Sequence, residues 1–329
     1  MKKAERIARL FLFGLLLGLP AALIASRWYS QQISPGRFVE IHGRMPENGG
    51  WMPDEITARA GEPLHIRLTS DDVLHGFAIG QSDWPEVEVK PGQVSETTLT
   101  FAHPGTYTFY CTRWCGPNHW RMRGTIEVTG EGAAQVQGDQ PLYLTLGIDI
   151  DAPHPAEIVP NRTPSAKRGA ALAIEVPAGF REKGYIRRHS PVEFWRLLRE
   201  APFTLGLSDE QVWDLVAYAW ISGTTPGATE QGRQLYAQNC AACHGEQGQG
   251  DGVLAPAPSS ELHMEADHGL KSPPDFTDSA AMLGASPALL QGKIVRGGMG
   301  TGMPYWGPIL TEEQTWALVD YLWSFQFDR

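Results

Sequence analysis

Over residues 38–130 apolar and polar positions alternate in short runs. Ile56 to Leu68 alternates around a Gly61-Glu62-Pro63 turn, and Val87 and Val89 alternate before Pro91-Gly92. Residues 97–101, 106–110 and 124–128 repeat the pattern. A period of two over runs this short predicts half-buried strands, and their spacing predicts an all-β Greek-key sandwich. The Gly- and Gln-rich residues 130–140 predict a linker. Beyond them the period becomes helical. Ser208 is a capping residue ahead of apolar positions at helical spacing through Trp220, and residues 311–323 repeat that segment almost position for position.

The repeat reaches further back. Trp213 pairs with Trp316 and Tyr218 with Tyr321 at an offset of 103 residues. Ser190-Pro191 pairs with Ser286-Pro287 and Phe180 with Phe276 at 96; Gly169 pairs with Gly232 and Leu172 with Leu235 at 63. These steps make the earlier copy shorter by 33 residues (96 against 63) and then by 7 (103 against 96). The missing parts correspond to Cys240-Ala-Ala-Cys243-His244 with its glycine-rich sequel, and to the loop around Met299 and Met303. The earlier copy keeps the helices and loses what lies between them.

Residues 10–26 form an uncharged run of 17 after Lys2, Lys3, Arg6 and Arg9. The run predicts one membrane helix, with residues 1–30 as cytoplasmic tail and anchor and the remainder exported. A cleaved signal peptide is the competing reading. A length of 329 residues suits two or three domains, and a net charge of −10 argues against a nucleic-acid partner.

The four cysteines fall into two motifs. In the first, Cys111 and Cys115 are followed by His119 and Met122, and His75 lies 36 residues upstream of Cys111. Thiolate, imidazole and thioether suit copper, and the set His75, Cys111, Cys115, His119 and Met122 is too rich for one copper but suits a pair bridged by two thiolates. Cys-x₃-Cys-x₃-His with a distant His also admits tetrahedral zinc, a reading in which Met122 has no purpose. In the second, Cys240, Cys243 and His244 spell c-type haem attachment, with His244 as proximal iron ligand. Met303, just before Pro304, is the expected sixth ligand, Met299 the reserve. Met264 and Met282, with His65 and His103, read as loop, surface or packing residues.

Residues 56–129 resemble the CuA domain of subunit II of heme-copper oxidases, a cupredoxin sandwich. The resemblance rests on Val73-Leu-His75-Gly-Phe-Ala-Ile79, Val89-Lys-Pro-Gly92, Phe101-Ala-His-Pro-Gly-Thr-Tyr107, the loop from Cys111 to Met122, and Gly124-Thr-Ile-Glu-Val128. It implies that Cys111 and Cys115 bridge two coppers, that His75 and His119 each supply a nitrogen, and that Met122 and the Arg113 carbonyl are the weak ligands. Many members carry Glu where this chain has Arg113, and that Glu helps hold a magnesium ion against subunit I; the arginine departs from this role. His-Gly-Phe and a single membrane helix look more like the B-type oxidases. Residues 229–327 resemble class I cytochromes c.

The expected order is therefore an anchor (1–30), a CuA cupredoxin domain (31–130), a linker (131–159), an all-α cytochrome c-like domain without haem (160–225) and a haem c domain (229–329). The resemblance implies the electron-entry subunit of a terminal oxidase in a bacterial cytoplasmic membrane. Oxygen would be reduced in a separate subunit I. Membrane lipid is a further partner, and a soluble cytochrome or a quinol-oxidising complex is the candidate donor. The electron-entry subunit of a CuA-containing nitric oxide reductase and a free-standing anchored carrier are the alternatives.

Overall fold

The computed structural model describes residues 38–116, 118–132, 140–255, 272–298 and 302–328. The expected anchor and Met299 lie outside these. Among the described residues no helix is long and apolar enough to cross a membrane.

Residues 39–129 form two facing sheets. One has strand order β2–β1–β4–β7, from β1 (Val39–Gly43), β2 (Trp51–Met52), β4 (Pro63–Ser70) and β7 (Val94–Thr100). The other has order β3–β9–β8–β5–β6, from β3 (Glu55–Arg59), β5 (His75–Ile79), β6 (Val87–Val89), β8 (Gly105–Cys111) and β9 (Arg123–Thr129). Alternation sets the inner faces: Leu64, Ile66 and Leu68 are buried while the intervening His65, Arg67 and Thr69 are partly exposed. His65 spends its ring on Thr98 Oγ1 at 2.9 Å, a sheet-surface contact. Trp51 lies edge-on to Phe77 at 5.6 Å in the core between the sheets. Gly124 on β9 is needed for close approach, since a Cβ there would sit 2.1 Å from Phe109 Cζ and 2.4 Å from the Asp54 carbonyl.

The helical part begins earlier than the expected linker allows. Helix α1 (Leu142–Thr145) falls within 131–159, and Ile150 and Ala156 of that stretch are buried in the helical core. The Ala156 N–H donates to the Ala280 carbonyl at 2.8 Å, and Asp151 pairs with Arg296 at 2.6 Å. Apolar residues at 148, 150 and 156 dock this segment despite its turn-rich composition.

Then follow α2 (Ala166–Ala171), α3 (Lys183–Ile186), α4 (Pro191–Glu200) and α5 (Asp209–Ser222). The later helices are α6 (Pro226–Asn239), α7 (Ala241–His244), α8 (Ser279–Met282), α9 (Pro287–Arg296) and α10 (Glu312–Leu322), the last running into a 3-10 turn (Trp323–Phe325). Their starts are written in the sequence. Ser208 and Thr311 each form a reciprocal capping box with Gln211 and Gln314, which satisfies N–H groups that a helix end leaves unpaired. These helices, α2 through its capping residue Leu172, share one hydrophobic core.

Sandwich and helices meet at one face. The Gln81 N–H donates to the Ile309 carbonyl at 2.9 Å, and the Gln81 side chain donates to the Gly307 carbonyl. Gly80 lies against Pro308, where a Cβ would stand 2.3 Å from the carbonyl oxygen.

Candidate metal centre

β5 and β8 bring the first cluster together. Phe77 pairs with Cys111 and Ile79 with Phe109, so His75 at the head of β5 faces the end of β8. The chain then loops outward and returns. Asn118 takes a left-handed turn (φ 58°), a short 3-10 turn carries His119, and the Cys111 N–H donates to the Met122 carbonyl at 3.0 Å. Residues 11 apart in sequence thus close on one another.

The donors form two like halves. Cys111 Sγ and Cys115 Sγ are 3.9 Å apart. Around Cys111 lie His75 Nδ1 at 3.8 Å and the Arg113 carbonyl at 3.2 Å; around Cys115 lie His119 Nδ1 at 3.3 Å and Met122 Sδ at 3.6 Å. His75 is 0% exposed, Met122 1% and His119 7%, so the cluster is dry. All six positions read from the sequence converge here. The thiol pair shares its protons unequally. Cys111 is held well below the usual thiol range, first by the Cys115 thiol and then by His119 and His75, while Cys115 is pushed up by its bond to Cys111 and by burial. Two sulfurs in contact, each with one imidazole and one weak donor, fit a thiolate-bridged metal pair. They leave one donor too many on each side for a single zinc.

Asp72 completes the centre, and sequence reasoning passed over it. Its carboxylate accepts from the N–H groups of Met45 and Val73 at 2.6 Å and lies 2.8 Å from His75 Nε2. Burial raises its pKa, but the Met45 N–H, His75 and the Val73 N–H together hold it below the usual carboxylate range. A carboxylate on Nε2 fixes the tautomer that leaves Nδ1 free toward the sulfurs. The available signal was the i, i+3 spacing of Asp72 and His75. The Arg113 side chain turns the other way and pairs with Glu86 at 2.7 Å.

The second cluster lies at a break between helices. The sequence places Cys240–His244 on the helix beginning near Thr229, but α6 ends at Asn239 and the motif occupies the separate turn α7. The N–H groups of Cys243 and His244 both return to the Cys240 carbonyl, at 3.1 and 2.9 Å. No cysteine is disulfide-bonded. Burial pushes the Cys240 thiol up to about 12 and also raises that of Cys243, so both are neutral thiols. The His244 ring stacks on Phe276 at 4.8 Å, and burial pushes it down to about 4 against the pull of the Pro274 carbonyl. A buried, neutral imidazole beside two unbridged thiols fits a covalent haem. Met303 packs against the same core, and its carbonyl accepts from the Gly298 N–H at 3.2 Å.

The two clusters are neighbours. The Arg123 guanidinium, next to Met122, donates to the Trp120 carbonyl at 2.7 Å and across to the Tyr305 carbonyl at 3.0 Å. It lies 5.4 Å from the Tyr305 ring centre and 5.7 Å from that of Trp306. Cys111, His119, Met122, Arg123, Trp306 and Ile309 line a cavity of about 10 Å³ between the two parts. That is room for one water at most.

Residues 54–129 match the family model of the periplasmic domain of cytochrome c oxidase subunit II, and residues 229–326 match that of cytochrome c. Two cytochrome c oxidase subunit 2 sequences from Thermus thermophilus are each 40% identical over 79 residues. The match takes in 24% of this chain, 58% of one relative and 46% of the other, so the chain spans about half the length of these curated relatives. A heme-copper terminal oxidase dimer solved by cryo-electron microscopy contains a chain 26% identical to this one, with a TM-score of 0.25. That match covers 39% of this chain and 100% of the other. The polypeptide thus joins a β-sandwich similar to the periplasmic domain of cytochrome c oxidase subunit II to a helical segment similar to cytochrome c.

Proposed function

We propose that the chain is the electron-entry subunit of a terminal heme-copper oxidase, receiving electrons at a haem c and delivering them through a binuclear CuA centre to a separate subunit I that reduces oxygen. The observation that carries this reading is that Trp306 and Ile309, just after Met303, line one small cavity with Cys111, His119 and Met122. When bound, haem and copper pair supply two one-electron carriers.

The chain's own residues position them. Cys111, Cys115, His75 and His119 would hold the copper pair, with Met122 and the Arg113 carbonyl as weaker donors. Burial of these donors excludes water, so that little solvent reorganises when charge arrives. Cys240 and Cys243 would attach the haem, and His244 and Met303 would ligate its iron. Gln81 and Arg123 hold the domains in register, and the covalent tether makes the encounter intramolecular. Residues 10–26 anchor the subunit in the cytoplasmic membrane, with both centres on the exported side. A soluble cytochrome or a quinol-oxidising complex is the donor.

Spectroscopy of the purified chain tests the cofactor set. The expected result is a mixed-valence dicopper EPR signal with one low-spin haem c. A one-copper signal or two haems would overturn it. The purified complex should consume oxygen. Nitric oxide consumption instead would make it a reductase subunit, and isolation without a haem-bearing membrane subunit would make it a free-standing carrier.

A further inference from the structure

Residues 160–225 repeat the haem domain element by element. α3 and α8, and likewise α4 and α9, have the same lengths with bounds offset by 96 residues. α5 spans 209–222, and α10 with its 3-10 turn spans 312–325, an offset of 103. Each half contains the same tight helix crossing. A Cβ on Gly169 of α2 would lie 2.1 Å from the Asp214 carbonyl oxygen and 2.8 Å from Tyr218 Cβ. A Cβ on Gly232 of α6 would lie 2.0 Å from the Ala317 carbonyl oxygen and 2.8 Å from Tyr321 Cβ. Asp214 and Ala317, like Tyr218 and Tyr321, are 103 residues apart.

The two halves also meet reciprocally. The Val192 N–H donates to the Leu283 carbonyl at 3.0 Å, and the Ala288 N–H donates to the Arg187 carbonyl at 2.9 Å. At the offset of 96, Val192 corresponds to Ala288 and Arg187 to Leu283, so this is one contact made twice with the roles exchanged. Trp220 and Trp323, counterparts at 103, meet ring to ring at 5.7 Å. Residue i touching j′ while i′ touches j, with one equivalent pair touching itself, is the signature of an isologous two-fold interface. A connecting segment with incidental helices has no reason to produce it.

Around Phe180 the earlier half carries bulk that the haem half lacks. Phe180 is the counterpart of Phe276, which stacks on His244. Tyr185, His189 and Phe194 stand where the haem half has Ala281, Ala285 and Leu290. Tyr185 covers Phe180 at 5.2 Å and stacks on His189 at 4.1 Å, and Phe194 lies 5.8 Å from Phe180.

We infer that residues 160–225 are a second cytochrome c fold, with aromatic side chains packed around Phe180, paired with the haem domain about a pseudo-two-fold axis. It is a dimer partner fused into the chain. It covers the Trp323 and α9 face of the haem domain with protein and leaves the segment after Met303 to face the copper site. The inference uses the cytochrome reading of 229–326 and stands whether or not the chain serves an oxidase.

Hydrogen exchange on the full chain tests it. The amides of Val192 and Ala288 should be protected to a similar degree. In Trp220→Ala and in Trp323→Ala both should exchange faster together, by about tenfold or more, since residues coupled across one interface lose stability jointly. Haem absorbance, recorded alongside, should keep its native spectrum in Trp220→Ala. Exchange of 160–225 at the rate of an open chain, or loss of protection in one half alone, would overturn the inference. If an alanine variant does not fold, Trp220→Phe and the wild-type comparison of the two amides decide between the same outcomes.

Discussion

At the scale of residues, the candidate metal centre divides into side chains that could donate and groups that hold them in place. His75 is oriented by Asp72 at 2.8 Å, and a group that fixes a ligating imidazole usually contributes strongly to metal affinity. Asp72→Ala is therefore expected to weaken copper binding by about 10- to 100-fold while the sandwich stays folded, as measured by competitive copper titration with far-UV circular dichroism. Arg113 makes the opposite case. It contributes a carbonyl toward Cys111 at 3.2 Å, and its side chain is engaged with Glu86, so Arg113→Ala should leave the dicopper EPR signal in place. Loss of that signal would show that the Arg113–Glu86 pair shapes the loop. The donor types were legible because few residues offer sulfur or imidazole and their order is local. Asp72 was not, because a carboxylate beside a histidine is common on any surface. Only the fold of the strand-edge loop aims it at Nε2.

At the scale of elements, alternation and caps were readable because they arise from neighbours in sequence. Strands β3, β4 and β6 to β9, the Ser208 and Thr311 caps and the paired C-terminal helices followed from local pattern. The break after Asn239 was not, since residues 226–244 carry no proline or glycine at the break itself; there Cys240 has φ −118° with ψ −39°. The docking of residues 142–156 on the helical core was likewise hidden from the sequence. The apolar residues there are too sparse to show a period, yet Tyr143 packs where Gly292 leaves room on α9. Close approach of helices also makes a prediction. Gly232→Val places side chain against the Ala317 carbonyl and should lower stability by about 1–3 kcal/mol or more, seen as a lower midpoint of thermal unfolding followed by haem absorbance. Gly169→Val at the equivalent crossing should lower the same midpoint, because the two halves share one core.

At the scale of the whole molecule, the decisive feature is where the haem domain rests. Arg123 and Gln81 reach from the sandwich to the carbonyls of Tyr305, Gly307 and Ile309. Gln81→Ala, away from the metal ligands, should slow haem-to-copper electron transfer in the full chain, and Arg123→Ala should slow it by about tenfold or more, since small misplacements of reacting partners are costly. Stopped-flow reduction followed at the haem and copper bands measures both, and unchanged rates would mean that this docked arrangement is not the one that transfers electrons. The sequence by itself determined which cofactor chemistry the chain can support, because ligand identity and short spacing are covalent properties. It also revealed the internal repeat, because offsets survive in aligned residues. The tertiary structure alone decided that the two copies pair reciprocally, that Asp72 orients His75, and that Trp306 meets the copper loop. Those relations join residues about 100 to 200 positions apart or hang on the turn of a loop, and only packing of buried surface selects them.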